Sequence, residues 1–235
     1  MVGHPNLKIL LPFQGDLLDR SGNANNGTNV NTAKTYSTAP IGSGVSIVNS
    51  TSTTSGTANA VRFVNTTSLN PATGNYTLAM RLKCTDTRGD DLSVVFVKYG
   101  ASTNNNLMVR YDASYKLFIS TRDTNGIEII LTDSAQAIND GVWRHYAFAR
   151  IGTTVYMYVN GVLKQTAANA ALASINLDGT AYYWLGCYST SQVAGIPNQG
   201  ASCYVDDLQY YVGVGLPDSD IKRIVLGLQP LTKSA

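Results

Sequence analysis

A chain of 235 residues can bury about 70% of its unfolded surface in one body, so neither a metal nor a disulfide is needed merely to hold a core. Charged residues are 14% of the chain, the formal net charge is +2, and Lys and Arg are scattered singly, which argues against nucleic acid or an anionic membrane as partner. Glu128 is the one glutamate and lysine is sparse, so strong surface helix formers are missing, and Thr, Ser, Asn, Gly and fourteen Tyr supply a composition for strands and turns.

Residues 1–6 lack a basic start followed by an apolar run, and no stretch approaches the ~18 apolar residues of a membrane span. Residues 7–13 read as the first strand. Residues 14–28 follow as a loop dense in turn formers and side-chain oxygens, and residues 35–60 as a long Ser/Thr/Gly-rich surface excursion with an apolar island at 45–48. Strands are expected at 60–64 and at 75–84, the latter with Tyr76, Leu78, Met80 and Leu82 on one face, then at 92–99, 107–111, 116–121 and 127–132. Residues 143–164 form the centre of the pattern. Gly152-Thr153 and Asn160-Gly161 reverse the chain between runs of aromatic and β-branched residues, which makes a β-meander. On its middle strand Val155, Met157 and Val159 share one face and Tyr156 and Tyr158 the other. Strands at 182–187 and 203–212 close the series. Residues 218–226 are the one helical segment, with Asp in the first turn, Lys222 and Arg223 later and Gly227 as the stop, and 227–235 form a tail. About a dozen short strands at roughly 8–12-residue spacing describe an all-β, two-layer antiparallel sandwich or jelly roll, as a single domain.

With the strands placed, the chain resembles the laminin G-like, concanavalin A-like jelly-roll superfamily, in the variant found in bacterial and phage proteins. Eight pieces carry the resemblance in order. They are Phe13-Gln14-Gly15 with Asp19-Arg20-Ser21-Gly22-Asn23 and Asn26-Gly27, Val61-Arg62-Phe63, Tyr76-Thr77-Leu78, Trp143-Arg144-His145-Tyr146, Val155 to Gly161, Tyr183-Trp184-Leu185-Gly186, Val205 to Tyr211, and Leu216 to Ile221. Asp220 stands where the family has Glu. The fold hosts lectins, glycosidases, lyases and structural modules, so function has to be argued from sites.

Members of the family hold a structural calcium, and the resemblance implies one here, with Asp19, Ser21 and Asn23 of the opening loop and Asp206 as ligands. Against it stands a plainer role for Asp19, capping its own turn. The tyrosines form the candidate binding surface, with Tyr156, Tyr158, Tyr182 and Tyr210 as ring faces for a sugar, while Trp143 and Trp184 are expected in the core. A glycosidase needs two converging carboxylates. Asp206 and Asp207 are adjacent on a strand and so expected on opposite faces, as are Asp90 and Asp91, and the family's Glu-x-Asp-x-x-Glu cannot be built with Glu128 alone. His145, beside Arg144, Tyr146 and Arg150, matches a structural position, and with His4 far away there is no zinc signature. Among Cys84, Cys187 and Cys203, the pair Cys187 and Cys203 could face each other across strands, while a reducing cytosol would keep all three as thiols. The expectation is a non-enzymatic recognition or structural module on a phage virion, a capsid decoration or tail-fibre component. Its partners would be other virion proteins or a cell-surface glycan, with homo-oligomers allowed. A secreted lectin module is the alternative, and a lyase or hydrolase stands behind both.

Overall fold

The computed structural model describes residues 4–31, 34–49, 58–86, 93–99, 106–123, 125–187 and 200–231. Two antiparallel sheets lie face to face. The front sheet runs, from one edge to the other, Val162–Ala168 (β13), Thr154–Val159 (β12), Arg144–Ile151 (β11), Tyr76–Cys84 (β6), Cys203–Val212 (β15), Gly42–Ile47 (β4) and Thr35–Ala39 (β3), and Leu7–Leu11 (β1) also pairs with β15. The back sheet runs Glu128–Ala137 (β10), Lys116–Arg122 (β9), Asn106–Tyr111 (β8), Ser93–Tyr99 (β7), Tyr183–Leu185 (β14), Ala60–Phe63 (β5) and Gly27–Val30 (β2). The expected sandwich is present, and β12 lies inside its sheet as its two apolar faces require. Val155, Met157 and Val159 enter the core between the sheets while Tyr156 and Tyr158 turn outward. Tyr76, Leu78, Met80 and Leu82 share the core face of β6 as their spacing dictates.

Residues 35–47 depart from the expected excursion: they are the hairpin β3–β4, which carries the front sheet past β15. The apolar island is the end of β4, with Val45 and Ile47 fully buried. Residues 50–57 of that stretch and the pair Asp90-Asp91 lie outside the described residues.

The outer face of the front sheet is covered by the helix Asp218–Val225 (α1). Ile221 and Ile224 bury against Ala79, Ala147, Tyr158 and Tyr211, and the two alanines leave room for the helix to approach the strands. At one end of the sandwich the guanidinium of Arg150 donates to the carbonyls of Ile175 (3.0 Å), Leu172, Thr73 (2.6 Å) and Gly152 (3.2 Å), so a buried cation organises the chain segments around it.

β15 is the pivotal strand. It pairs with β6 along its length, while its other flank is taken first by β4, through Cys203, Tyr204 and Val205, and then by β1, through Leu208 to Tyr211. The change of partner coincides with a β-bulge. The register slips between Asp206 and Gln209, and Asp207 adopts a left-handed φ of 49°.

Candidate functional site

The opening loop is built on the flank of β1 turned away from β15. The Leu10 amide donates to Asp19 Oδ1 (2.9 Å) and its carbonyl accepts from the Arg20 amide (2.8 Å). Asn25 Nδ2 donates to the Lys8 carbonyl (2.7 Å), which also lies 3.1 Å from Ser21 Oγ, and Asn23 Nδ2 donates to the Leu7 carbonyl (2.9 Å). The side chains of Asp-x-Ser-x-Asn thus satisfy a strand's free edge. Asp19 also takes the Ser21 amide on Oδ1, and the Ser21 hydroxyl and Asn25 amide on Oδ2. Four donors occupy the roughly four lone-pair positions of the carboxylate. The structure brings Asp19, Ser21 and Asn23 together and leaves Asp206 across β1 from them, where its Oδ2 accepts from the Ile41 amide (3.0 Å). The four residues do not fit one calcium shell, which wants six to eight oxygens with lone pairs to spare. Asp19 plays the plainer, turn-fixing role.

Beyond this motif the loop lies across β2. The Gly27 amide donates to the Leu17 carbonyl (2.8 Å). A Cβ at Gly27 would sit 2.7 Å from Val61 Cγ1 and 3.2 Å from Leu17 Cβ, so the close approach requires glycine. Gln14 Nε2 donates to the Ile41 carbonyl and ties the same loop to the β3–β4 turn. Between β2, an edge of the back sheet, and β3, an edge of the front sheet, an open cleft of about 580 Å³ remains. Its lining includes Asp16, Leu17, Thr28, Asn29, Lys34 and Tyr36. Burial, and then the Asp16 carboxylate, push the Tyr36 hydroxyl above its ordinary pKa. Burial holds the Lys34 ammonium down at about 8, where it donates to the Val30 carbonyl (3.3 Å). The cleft therefore offers an aromatic ring with its hydroxyl, a carboxylate, an amide and a threonine hydroxyl, with buried Lys34 in its wall, within the volume range of small-molecule sites. Asp16 is the one carboxylate of that lining, and its Oδ2 is paired with Arg20 Nη2 at 2.6 Å. A second carboxylate to complete an acid–base pair is missing from the lining.

A family model described as the concanavalin A-like lectin/glucanases superfamily, of the laminin G type, matches residues 54–214. The chain belongs to that superfamily. No curated protein sequence matches this concanavalin A-like domain. Among solved structures, the binding domain of Paraclostridial Mosquitocidal Protein 1 superposes with a TM-score of 0.73 at 15% identity, over 94% of this chain and 52% of that one. The binding domain of botulinum neurotoxin DC, solved with rat synaptotagmin II, gives 0.69 at 14% identity, over 95% and 52%. Domain 4 of AbnA, an extracellular GH43 arabinanase from Geobacillus stearothermophilus, solved with arabinotriose, gives 0.65 at 18% identity, over 94% and 99%. The concanavalin A-like domain thus spans about half of each toxin fragment and nearly all of the arabinanase domain. At these identities the likeness establishes the fold.

The four tyrosines expected to bind sugar do not converge. Tyr210 is fully buried between the sheets and offers no ring face, because Leu208 and Tyr210 share the core side of β15. Tyr158 is buried under α1, with Tyr156 partly exposed beside it. Tyr182 lies on the outer face of the back sheet, with the Arg62 guanidinium 4.6 Å from its ring centroid and Trp184 edge-on at 6.2 Å. Trp184 is buried as expected, though in a cluster on the outer side of the back sheet. Trp143 is not in the core. It is partly exposed on the outer face of the front sheet, where its ring reaches over Gly44 and the Lys83 ammonium lies 5.3 Å from it and 4.3 Å from the Tyr204 ring. Tyr36 escaped the sequence reading because it sits among Ser and Thr, and its one signal was a lone aromatic in a polar stretch.

The bulge also overturns the expected divergence of Asp206 and Asp207. Val205 and Leu208 both face the core, so the two residues between them leave on the outer side together, near Arg81. Asp206 is 0% and Asp207 4% exposed, so the pair is beyond the reach of a substrate. Burial pushes Asp206 up to about 6, helped by Asp207, and burial pushes Asp207 up to about 6 against its hydrogen bond from Gln209 Nε2 (2.9 Å) and the Arg81 charge. His145, in register with Arg81 and 1% exposed, is held down at about 3 by burial and by Arg81. At that burial its imidazole is out of reach of a substrate.

Two outcomes follow. Calcium titrated into chelated protein should release no heat, and EDTA should leave the melting temperature unchanged. Because the native carboxylates bind protons between about pH 4 and 6 that the unfolded chain has released, they cost stability as pH rises through that window. His145 acts in the opposite sense below pH 6.5. Asp207→Asn, which tolerates the left-handed backbone, should therefore raise urea stability at pH 7.5 by on the order of 2 kcal/mol, and the gain should shrink towards zero at pH 4.

Proposed function

We propose that the chain is a non-enzymatic recognition module that holds a cell-surface glycan in the cleft between β2 and β3. The observation that carries this reading is the cleft itself. Tyr36, Asp16, Thr28 and Asn29 line about 580 Å³ of open volume there, with ring, hydroxyls, carboxylate and amide but no second carboxylate. A sugar stacks its apolar face on a tyrosine ring and satisfies its hydroxyls on flanking donors and acceptors, which needs no acid–base pair. A binding role also accords with the neighbours: toxin binding domains, one of them solved with a protein receptor, and an arabinanase domain solved with an oligosaccharide.

For its carrier we propose the surface of a phage virion, as a capsid decoration or tail-fibre component in contact with other virion proteins. The Asn/Thr/Ser-rich composition and the resemblance to phage variants of the family support it. A second reading, a carbohydrate-binding module of a secreted enzyme, is favoured by the near end-to-end correspondence with the arabinanase domain. On a glycan array the protein should retain a defined subset of oligosaccharides. Tyr36→Ala should weaken that retention about tenfold or more while leaving the fold intact. An array blank at all concentrations would overturn the glycan reading. Mass spectrometry of purified particles should find the chain, and its absence would leave the secreted-module reading in place.

A further inference from the structure

We propose that Cys84 and Cys203 are a modification site: exposed to a disulfide oxidant, they join into a cross-strand bridge between β6 and β15. The sequence alone allowed Cys187 and Cys203 to face each other, and the register places Cys84 opposite Cys203 instead. Cys84 is the last residue of β6 and Cys203 the first of β15, and they are directly opposite each other. Both side chains enter the core cluster between the sheets, so they point to the same side. The carbonyl of Cys84 accepts from the Gly141 amide (3.0 Å), on the β11 flank of β6, which turns the peptide groups of Cys84 away from β15. Cys84 and Cys203 are therefore a non-hydrogen-bonded pair. Residues in such pairs have Cα atoms about 4.5 Å apart. That lies within the ~4.4–6.8 Å that a disulfide spans.

The electrostatics agree with this placement, since both sulfurs act on the same hydroxyl, that of Tyr111, which donates to Asp86. The Cys84 thiol itself donates to the Ser202 carbonyl at 3.3 Å, so the reduced state has its own partner. Cys187 stands apart. It belongs to the cluster on the outer side of the back sheet, beside Lys34, and burial raises its thiol far above the ordinary value.

With glutathione disulfide as oxidant the step balances. One cysteine thiolate attacks the disulfide and releases a glutathione thiolate, which leaves a mixed disulfide on the protein. The second cysteine attacks the protein sulfur of that bond and releases the second glutathione. Two electrons pass from the cysteine pair to glutathione disulfide, and the two thiol protons end on the two glutathione molecules. Both cysteines are 0–2% exposed, so the exchange takes place while the chain folds or opens rather than in the closed sandwich.

The test is to refold the full chain with glutathione disulfide, block remaining thiols in denaturant with iodoacetamide, and map the peptides by mass spectrometry. The expected result is an intact mass lower by two hydrogens before blocking, one alkylated cysteine at Cys187, and a linked peptide pair containing Cys84 and Cys203. The bridged form should melt about 10 °C above the reduced form, because the link closes a long loop in the unfolded chain. Cys187→Ser should leave the bridge unchanged. Three alkylated cysteines after oxidation, a glutathione adduct that never resolves, or a bridge containing Cys187 would each overturn the assignment.

Discussion

One strand has to satisfy three neighbours. β15 gives one flank to β6 and divides the other between β4 and β1, which arrive from different parts of the chain. A regular ladder would leave peptide groups orphaned where one partner ends and the next begins, and an orphaned buried peptide group costs about as much as a lost hydrogen bond. The bulge at Asp206 and Asp207 resolves this. The extra residue lets the strand bend between its partners, and Asp206 Oδ2 takes the Ile41 amide at the end of the β3–β4 hairpin. The solution carries a burden of its own, two carboxylates brought onto one face and out of water, which explains their reluctance to ionise.

This arrangement also decides what could be foreseen from the residues. β6, β11 and β12 were legible because each alternates large apolar residues with others, and each is covered on both faces. β2 and β3 were not, because edge strands with exposed outer positions need no apolar alternation, and their Thr, Ser, Asn and Ala read as loop. Parity would have placed Trp143 correctly. Tyr146 and Phe148 face the core, so the odd-numbered residues of that run, Trp143 and His145 among them, face outward. The bulge had no local signature at all, since it exists only in relation to the partner strands, and the period-2 argument that separated Asp206 from Asp207 failed for that reason. Tyr210 failed differently: next to Tyr211, either ring of the pair could have been the outer one until the register was known.

The cleft follows from the same architecture. The core holds the sheets rigidly, and β2 and β3 end them on the same side, so the opening loop has to bridge two edges that are not paired to each other. A concavity where two edges meet is lined by whatever residues the loop presents, which lets this fold change its ligand without altering its core. The groups that define the site, Tyr36 and Asp16, therefore lie in the stretches with the weakest sequence signal, while the family likeness resides in the scaffold.

The hydrogen bonds that Asp19 accepts from, and Asn23 and Asn25 donate to, the backbone of β1 have an effect beyond fixing a turn. Unpaired strand edges are templates on which a neighbouring copy can add its own strand, and crowding favours that reaction. By completing the outward flank of β1 with side chains, the chain removes one such template without committing another strand to it. Copies set side by side at high density can then touch through this flank and remain separate folded units.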